Sequence, residues 1–121
     1  MPIAVVRFVV AAVAALALAT VPVYPGAVSD VARMKKERQA DPKRTNAAYL
    51  TPDSFEKVMA FYKAQPGAKQ DNTFSIGNTE NEKIGLFYIG DQTVAINWPE
   101  SMTDKSGKRV AATAFSIDKT E

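Results

Sequence analysis

The side chains that could do chemistry in this 121-residue chain are carboxylates, hydroxyls and amines, because it contains neither histidine nor cysteine. Without histidine, the commonest metal ligand and the one side chain that titrates near neutrality are missing, and Ser-His or Cys-His machinery cannot be assembled. Without cysteine there is no disulfide, no thiolate catalysis and no cysteine to carry a lipid. Two routes to catalysis stay open. Carboxylate acid–base work needs two groups in a shared pocket with their pKa values pushed apart. The candidates are Asp53 and Glu56 at a helix start, Glu80 and Glu82 in a loop and Asp91 in a turn, where capping or solvation accounts for each. A Ser-Lys nucleophile needs a desolvated lysine, whereas Ser101, Lys105 and Ser106 share one polar loop. Neither a Gly-rich phosphate loop nor an acidic run with calcium-loop spacing occurs. The residue types therefore predict a protein that is not an enzyme, holds no metal and needs no cofactor. A carboxylate-based hydrolase is the weaker alternative.

The formal charge of +2 implies nothing about partners by itself, but the charge is unevenly placed. Arg33, Lys35, Lys36, Arg38, Lys43 and Arg44 stand against only Glu37 and Asp41 in the same stretch. These six cations have two readings. They form a solvated helix face, or they contact an anionic membrane surface, an envelope polyanion or an acidic partner with an affinity that falls with salt. Nucleic acid is a poor fit, since no aromatic residues are interleaved with the charges. Trp98 and Tyr88 likewise either pack on the sheet or line a groove on it.

The elements that must position these residues begin after residue 19. Residues 1–19 read as a secretory signal peptide, with a short charged start ending at Arg7, an apolar run Phe8–Ala19 and the small-x-small cleavage pattern Ala17-Leu18-Ala19. The expected location is periplasmic or secreted. An uncleaved N-terminal membrane anchor is the alternative, since Phe8–Val23 is almost continuously apolar, although that run falls short of the ~20 residues of a spanning helix and contains Pro22. Residues 20–45 form an arm, punctuated by Pro22, Pro25 and Gly26, and then a basic helix or linker over Val28–Ala40 that stops at Asp41-Pro42. Tyr24 is placed to anchor the arm through its ring.

Residues 46–121 form the remaining domain. Asn46–Leu50 reads as a strand leading into the segment whose helical pattern is clearest, Thr51–Gly67. There Thr51 suits an N-cap with Pro52 at the first helical position, Phe55, Val58, Met59 and Tyr62 fall on one stripe, and Pro66-Gly67 ends the helix. Each large side chain on that stripe gains about 1.5–3 kcal/mol on burial, so the face needs a partner surface. Lys69–Thr73 reads as a polar connection, Phe74–Ile76 as a short strand, and Gly77–Lys83 as a loop. Ile84–Ile89 and Thr93–Trp98 form a hairpin around Gly90-Asp91, with Pro99 ending its second strand. Alternation puts Phe87 and Ile89 opposite to Ile84, Leu86 and Tyr88, and sends Val94, Ile96 and Trp98 inward. Glu100–Lys108 is a polar loop before a last strand, Arg109–Ile117. The order predicts an α+β fold, two layers, with the central amphipathic helix packed on a three- to four-stranded antiparallel sheet. A cystatin-like wrap of sheet round helix is the runner-up.

Two pieces of this pattern resemble a known group. Tyr24-Pro25-Gly26-Ala27, followed after a spacer by Tyr49-x-Thr51, Asp53-Ser54-Phe55-Glu56-Lys57-Val58 and Ala60-Phe61-Tyr62-Lys63, is similar to small exported bacterial proteins with a YPGA arm before a T-x-DSFEKV-x-x-FYK helix and a C-terminal sheet. The resemblance implies export and a small α+β fold, and assigns no catalytic residue. Together the readings predict an exported, non-enzymatic domain that binds a protein or an envelope component. A peripheral membrane-surface protein held by residues 33–44 is the alternative.

Overall fold

A computed structural model describes residues 21–42, 46–72 and 78–119. Six antiparallel strands form one sheet: β1 (Val28–Ser29), β2 (Ala47–Thr51), β3 (Lys69–Gln70), β4 (Lys83–Ile89), β5 (Gln92–Thr103) and β6 (Arg109–Lys119). Their order across the sheet is β1-β2-β6-β5-β4-β3. Among the described residues two helices accompany the sheet, α1 (Val31–Ala40) between β1 and β2, and α2 (Phe55–Lys63) between β2 and β3. The fold is α+β with an antiparallel sheet, but six strands replace the expected three or four. The two extra strands, β1 and β3, are two residues long and lie at the sheet's edges, too short for any alternation to mark them. The strand expected at Phe74–Ile76 lies outside the described residues.

The helix α2 is shorter than its sequence pattern. Ser54 is the N-cap, its hydroxyl accepting from Lys57 N at 3.2 Å. Thr51 is instead the last residue of β2, paired with Thr113, and its hydroxyl accepts from Asp53 N. Because β2 pairing runs through Thr51 and the helix begins only at Phe55, Thr51 is too far from the first turn, and Ser54, directly before Phe55, takes the cap with its own backbone extended. Phe55, Val58 and Tyr62 are buried on the expected stripe. They meet Phe87, Ile89, Val94, Ile96, Phe115 and Ile117 on the facing sheet surface, with Trp98 at the edge of the cluster. Gly85 lets the helix come close, because a Cβ there would run into the end of Met59. The opposite sheet face is lined by small residues, Ala48, Ala95, Ala114 and Ser116, with Ile84, Leu86 and Tyr88 towards the β4 side.

The hairpin β4–β5 turns at Gly90-Asp91 as expected, with Gly90 at φ 61° at the first central position, where a type II′ turn needs φ > 0. Pro99, however, does not end β5. Asn97 faces Ala114 and Glu100 faces Ala112, so β5 has one residue more than β6 across this step. The bulge removes Pro99 from the ladder, where its missing N–H would be a defect, and pairing resumes to Thr103. The polar loop thereby shrinks to Asp104–Lys108. The Asp104 carboxylate ties it together, accepting from Ser106 N (2.9 Å), Ser106 Oγ (2.6 Å) and Lys108 N (3.0 Å).

The arm is built into the domain. Val21 is buried in the core, and its N–H donates to Gln92 Oε1 at 2.7 Å. The fully buried Tyr62 hydroxyl donates to Pro22 O and accepts from Tyr24 N, both at 3.0 Å. The Tyr24 ring stands edge-on to Phe61 and Phe115, so the anchoring expected of it is present, and β1 then adds the arm to the sheet edge beside β2.

Candidate functional site

A groove of about 760 Å³ lies at the end of the sheet where β2 passes into α2 and β5 turns into β6. Three pieces of chain make it. The turn at Pro25-Gly26 is closed by Ala27 N on Tyr24 O and needs glycine, because Gly26 sits at φ 81°. The link Thr51–Asp53 is held down by Thr113 Oγ1, which donates to Asp53 O at 2.7 Å. The β5–β6 hairpin supplies the third wall. Val28, Pro52, Met102 and Val110 give the groove apolar surface, and Asp53, Asp104 and Lys105 give it charge of both signs.

The carboxylates here have structural partners. Tyr24 Oη donates to Asp53 Oδ2 at 2.5 Å, and this bond, together with burial and the neighbouring charge of Asp53, pushes the phenol up to about 12. Asp104 is held below the usual carboxylate range, first by the Ser106 hydroxyl and then by the Lys108 N–H. A carboxylate stabilised as the anion is an acceptor; a general acid at neutral pH needs the opposite displacement.

The Ser-Lys candidates do not converge as a nucleophile. Ser101 Oγ accepts from Arg109 at 2.6 Å, and Ser106 Oγ donates to Asp104. Glu56 is exposed and paired with Lys83 at 2.7 Å, which places its carboxyl below its ordinary value through that bond. Lys83 Nζ also lies 5.3 Å from the centre of the Trp98 ring. Trp98 is therefore half-buried at the core's edge, whereas Tyr88 is exposed on the opposite sheet face, its hydroxyl 3.4 Å from Asp71 Oδ2. These two aromatics do not share a groove. Glu80, Glu82 and Asp91 are exposed. Among the described residues, no group of three or more acidic side chains is arranged to hold a metal ion.

Of the six basic residues, Lys43 and Arg44 lie outside the described residues. Arg33 pairs with Glu37 at 3.5 Å along α1, and Lys35, Lys36 and Arg38 are exposed on that helix. The helix starts at the cap Asp30, whose carboxylate accepts from Arg33 N. It is fastened to the sheet near its other end, where Asn46 Nδ2 donates to Glu37 Oε1 at 2.6 Å. Among the described residues no helix is long and apolar enough to cross a membrane.

The groove was missed from the sequence, since Val28, Met102 and Val110 sit in segments read as helix start, polar loop and strand. The one local signal was Met102, a lone large apolar residue among polar neighbours. Comparison with family models, curated proteins and solved structures finds no match to this chain.

Proposed function

We propose that the chain is an exported, non-enzymatic domain that binds a protein or an envelope component through the groove between the arm, the β2–α2 link and the β5–β6 hairpin. The observation that supports this reading is a concave apolar surface whose charged rim is held by hydrogen bonds. Binding to a surface of this kind costs little ordering, because the walls are already fixed. The signal-like N-terminus and the resemblance of the arm and helix to small exported proteins support export.

The hydrolase reading has one observation in its favour, that Asp53 and Asp104 line the same groove. Their partners count against it, because Asp104 is stabilised as the anion and Asp53 accepts from a phenol. The test uses the full chain and its Val28→Arg variant as baits against a cell-envelope extract. Val28 is 49% exposed, so the substitution fills the groove mouth without disturbing the core. A partner retained by the parent and lost by the variant supports the proposal. A hydrolase activity in the purified chain that disappears in Asp104→Asn would overturn it.

A further inference from the structure

The groove lies where one lane of the sheet is vacated. β2 stops at Thr51, opposite Thr113, whereas β6 begins four residues earlier, at Arg109. Pro52 and Asp53 then leave the sheet, with the Asp53 carbonyl held by Thr113 Oγ1. Arg109, Val110 and Ala111 therefore keep β5 on one side and have no strand on the other, where β2 would continue. Beyond that lane stands the Pro25-Gly26 turn that leads into β1. β1 and β6 are two strand spacings apart, about 9.6 Å, so the lane is one strand wide.

The main-chain groups of β6 point into this lane. Asp30 N donates to Ala48 O at 2.8 Å, so Ala48 turns its main-chain groups to β1, and Ala47, Tyr49 and Thr51 turn theirs to β6. Their partners Ile117, Phe115 and Thr113 face back, and by alternation Ala111 and Arg109 face the same way. The far side of β6 agrees. Asp104 N donates to Lys108 O at 2.8 Å, so Met102 exchanges bonds with Val110, and Arg109 and Ala111 spend none on β5. Both are exposed although β6 is an inner strand, and among the described residues no main-chain bond reaches either from the lane. Gly26 leaves the opposite wall open, since a Cβ there would meet nothing within 4 Å.

We infer that the groove takes an extended segment of a partner protein as an added strand in this lane, exchanging main-chain bonds with Arg109 and Ala111. The inference rests on the reading of the groove as a binding site. Residues directly opposite in a ladder share a face, so the segment's residue opposite Val110 points towards Val28, Met102 and Val110 and is aliphatic, and its neighbours are polar. The lane's dimensions select a chain segment over a second folded copy. Three residues of strand span about 10 Å, whereas two folded surfaces need about 1,200–2,000 Å² to associate stably. Main-chain bonding along an open edge supplies affinity, and the pocket for alternate side chains supplies selectivity.

The probe is an array of seven-residue peptides alternating valine, isoleucine or leucine with threonine, serine or lysine, read with the labelled full chain. Captured peptides should slow amide exchange at Arg109 and Ala111. Replacing the amide of a polar position by an ester removes a lane-facing donor without adding bulk and should weaken capture by about 2- to 12-fold. Ala111→Pro should weaken it by a similar factor, because the N–H it removes lies outside the β5 ladder and a proline is tolerated at such an edge. Capture indifferent to the esters, or without slowing at Ala111, would overturn the inference and leave the groove a binding site. Failure of every peptide would also overturn it, and the Val28→Arg bait comparison then decides separately whether the groove binds at all. Dimers of the full chain that disappear in Ala111→Pro would assign the lane to a second copy and overturn it as well.

Discussion

At the groove end of the sheet the polar side chains are bonded to one another: Tyr24 to Asp53, Thr113 to the Asp53 carbonyl, and Asp104 to its own turn. At the α1 end the cations Lys35, Lys36 and Arg38 stand out on a helix with no buried residue, fastened to the sheet through Glu37 and Asn46. Directional bonds fix a shape, and shape suits a site that selects by fit. Exposed charge fixes no shape but acts at a distance, which suits orientation towards an extended surface. The two ends of one small sheet thus differ in how their polar groups are held, bonded to one another at one end and exposed at the other.

The largest expected effect tests whether the two ends share one core. Phe115 is fully buried, stacks on Tyr49 at 5.2 Å between ring centres and lies 5.6 Å from Tyr62. Phe115→Ala should cost about 3–5 kcal/mol in denaturant unfolding, with amide exchange accelerating in α1 and in the β5–β6 hairpin together. Acceleration at one end only would mean that the ends unfold separately, and the comparison would become one between two units.

A smaller effect should separate them. Tyr24→Phe removes the donor to Asp53 and should cost about 1 kcal/mol, low in the range for a charged acceptor because the ring is partly exposed. Faster exchange is expected around Tyr24 and Asp53, and unchanged exchange in α1. The same bond has an alkaline signature. Raised from 10 to about 12, the Tyr24 phenol contributes stability that is full below pH 10 and lost as pH rises through about 12. Tyr62 is displaced upward as well, chiefly by burial, so Tyr24→Phe should reduce the alkaline loss without abolishing it. An alkaline unfolding profile identical to the parent's would remove the latch from the groove's construction.

The smallest effect is expected at Asp104. Asp104→Asn should speed exchange of the Ser106 and Lys108 amides while leaving global unfolding unresolved from the parent. Since the Asp104 carboxyl lies below its ordinary 3.8, its contribution to the turn is present above that value and lost as pH falls through the lowered one. The variant's hairpin should be insensitive to acid over that window. If it titrates like the parent, another group closes the turn.

Much of the fold was legible because short-range pattern carries it. The stripe Phe55, Val58, Tyr62 has helical period, and Phe87 and Ile89 alternate with Leu86 and Tyr88, so the buried face of α2 and the division of β4 into two faces could be read directly, whereas only the packed sheet shows that Phe87 and Ile89 face inward. The cap could not. Thr51, Pro52 and Ser54 all satisfy local rules for a helix start, and only the pairing of Thr51 with Thr113 removes Thr51 from the choice. Pro99 misled in the same way, since a proline ends a strand unless the partner strand is offset by a bulge, and the offset is a property of the pair. The groove was the least legible feature, because Val28, Pro52 and Met102 come from three segments and only the antiparallel order brings them together.

The amino-acid sequence by itself determined which chemistry lacks its residue types, where the main helix buries its face and which hairpin turns at Gly90, because each depends on residue type or on spacing within one element. Tertiary structure alone decided the six-strand order, the latch from Tyr24 to Asp53 and the separation of groove from cations to opposite ends. The latch joins residues 29 positions apart and the strand order sets β2 beside β6, with four other elements between them in the chain, and no local pattern records a partner that only the folded sheet supplies.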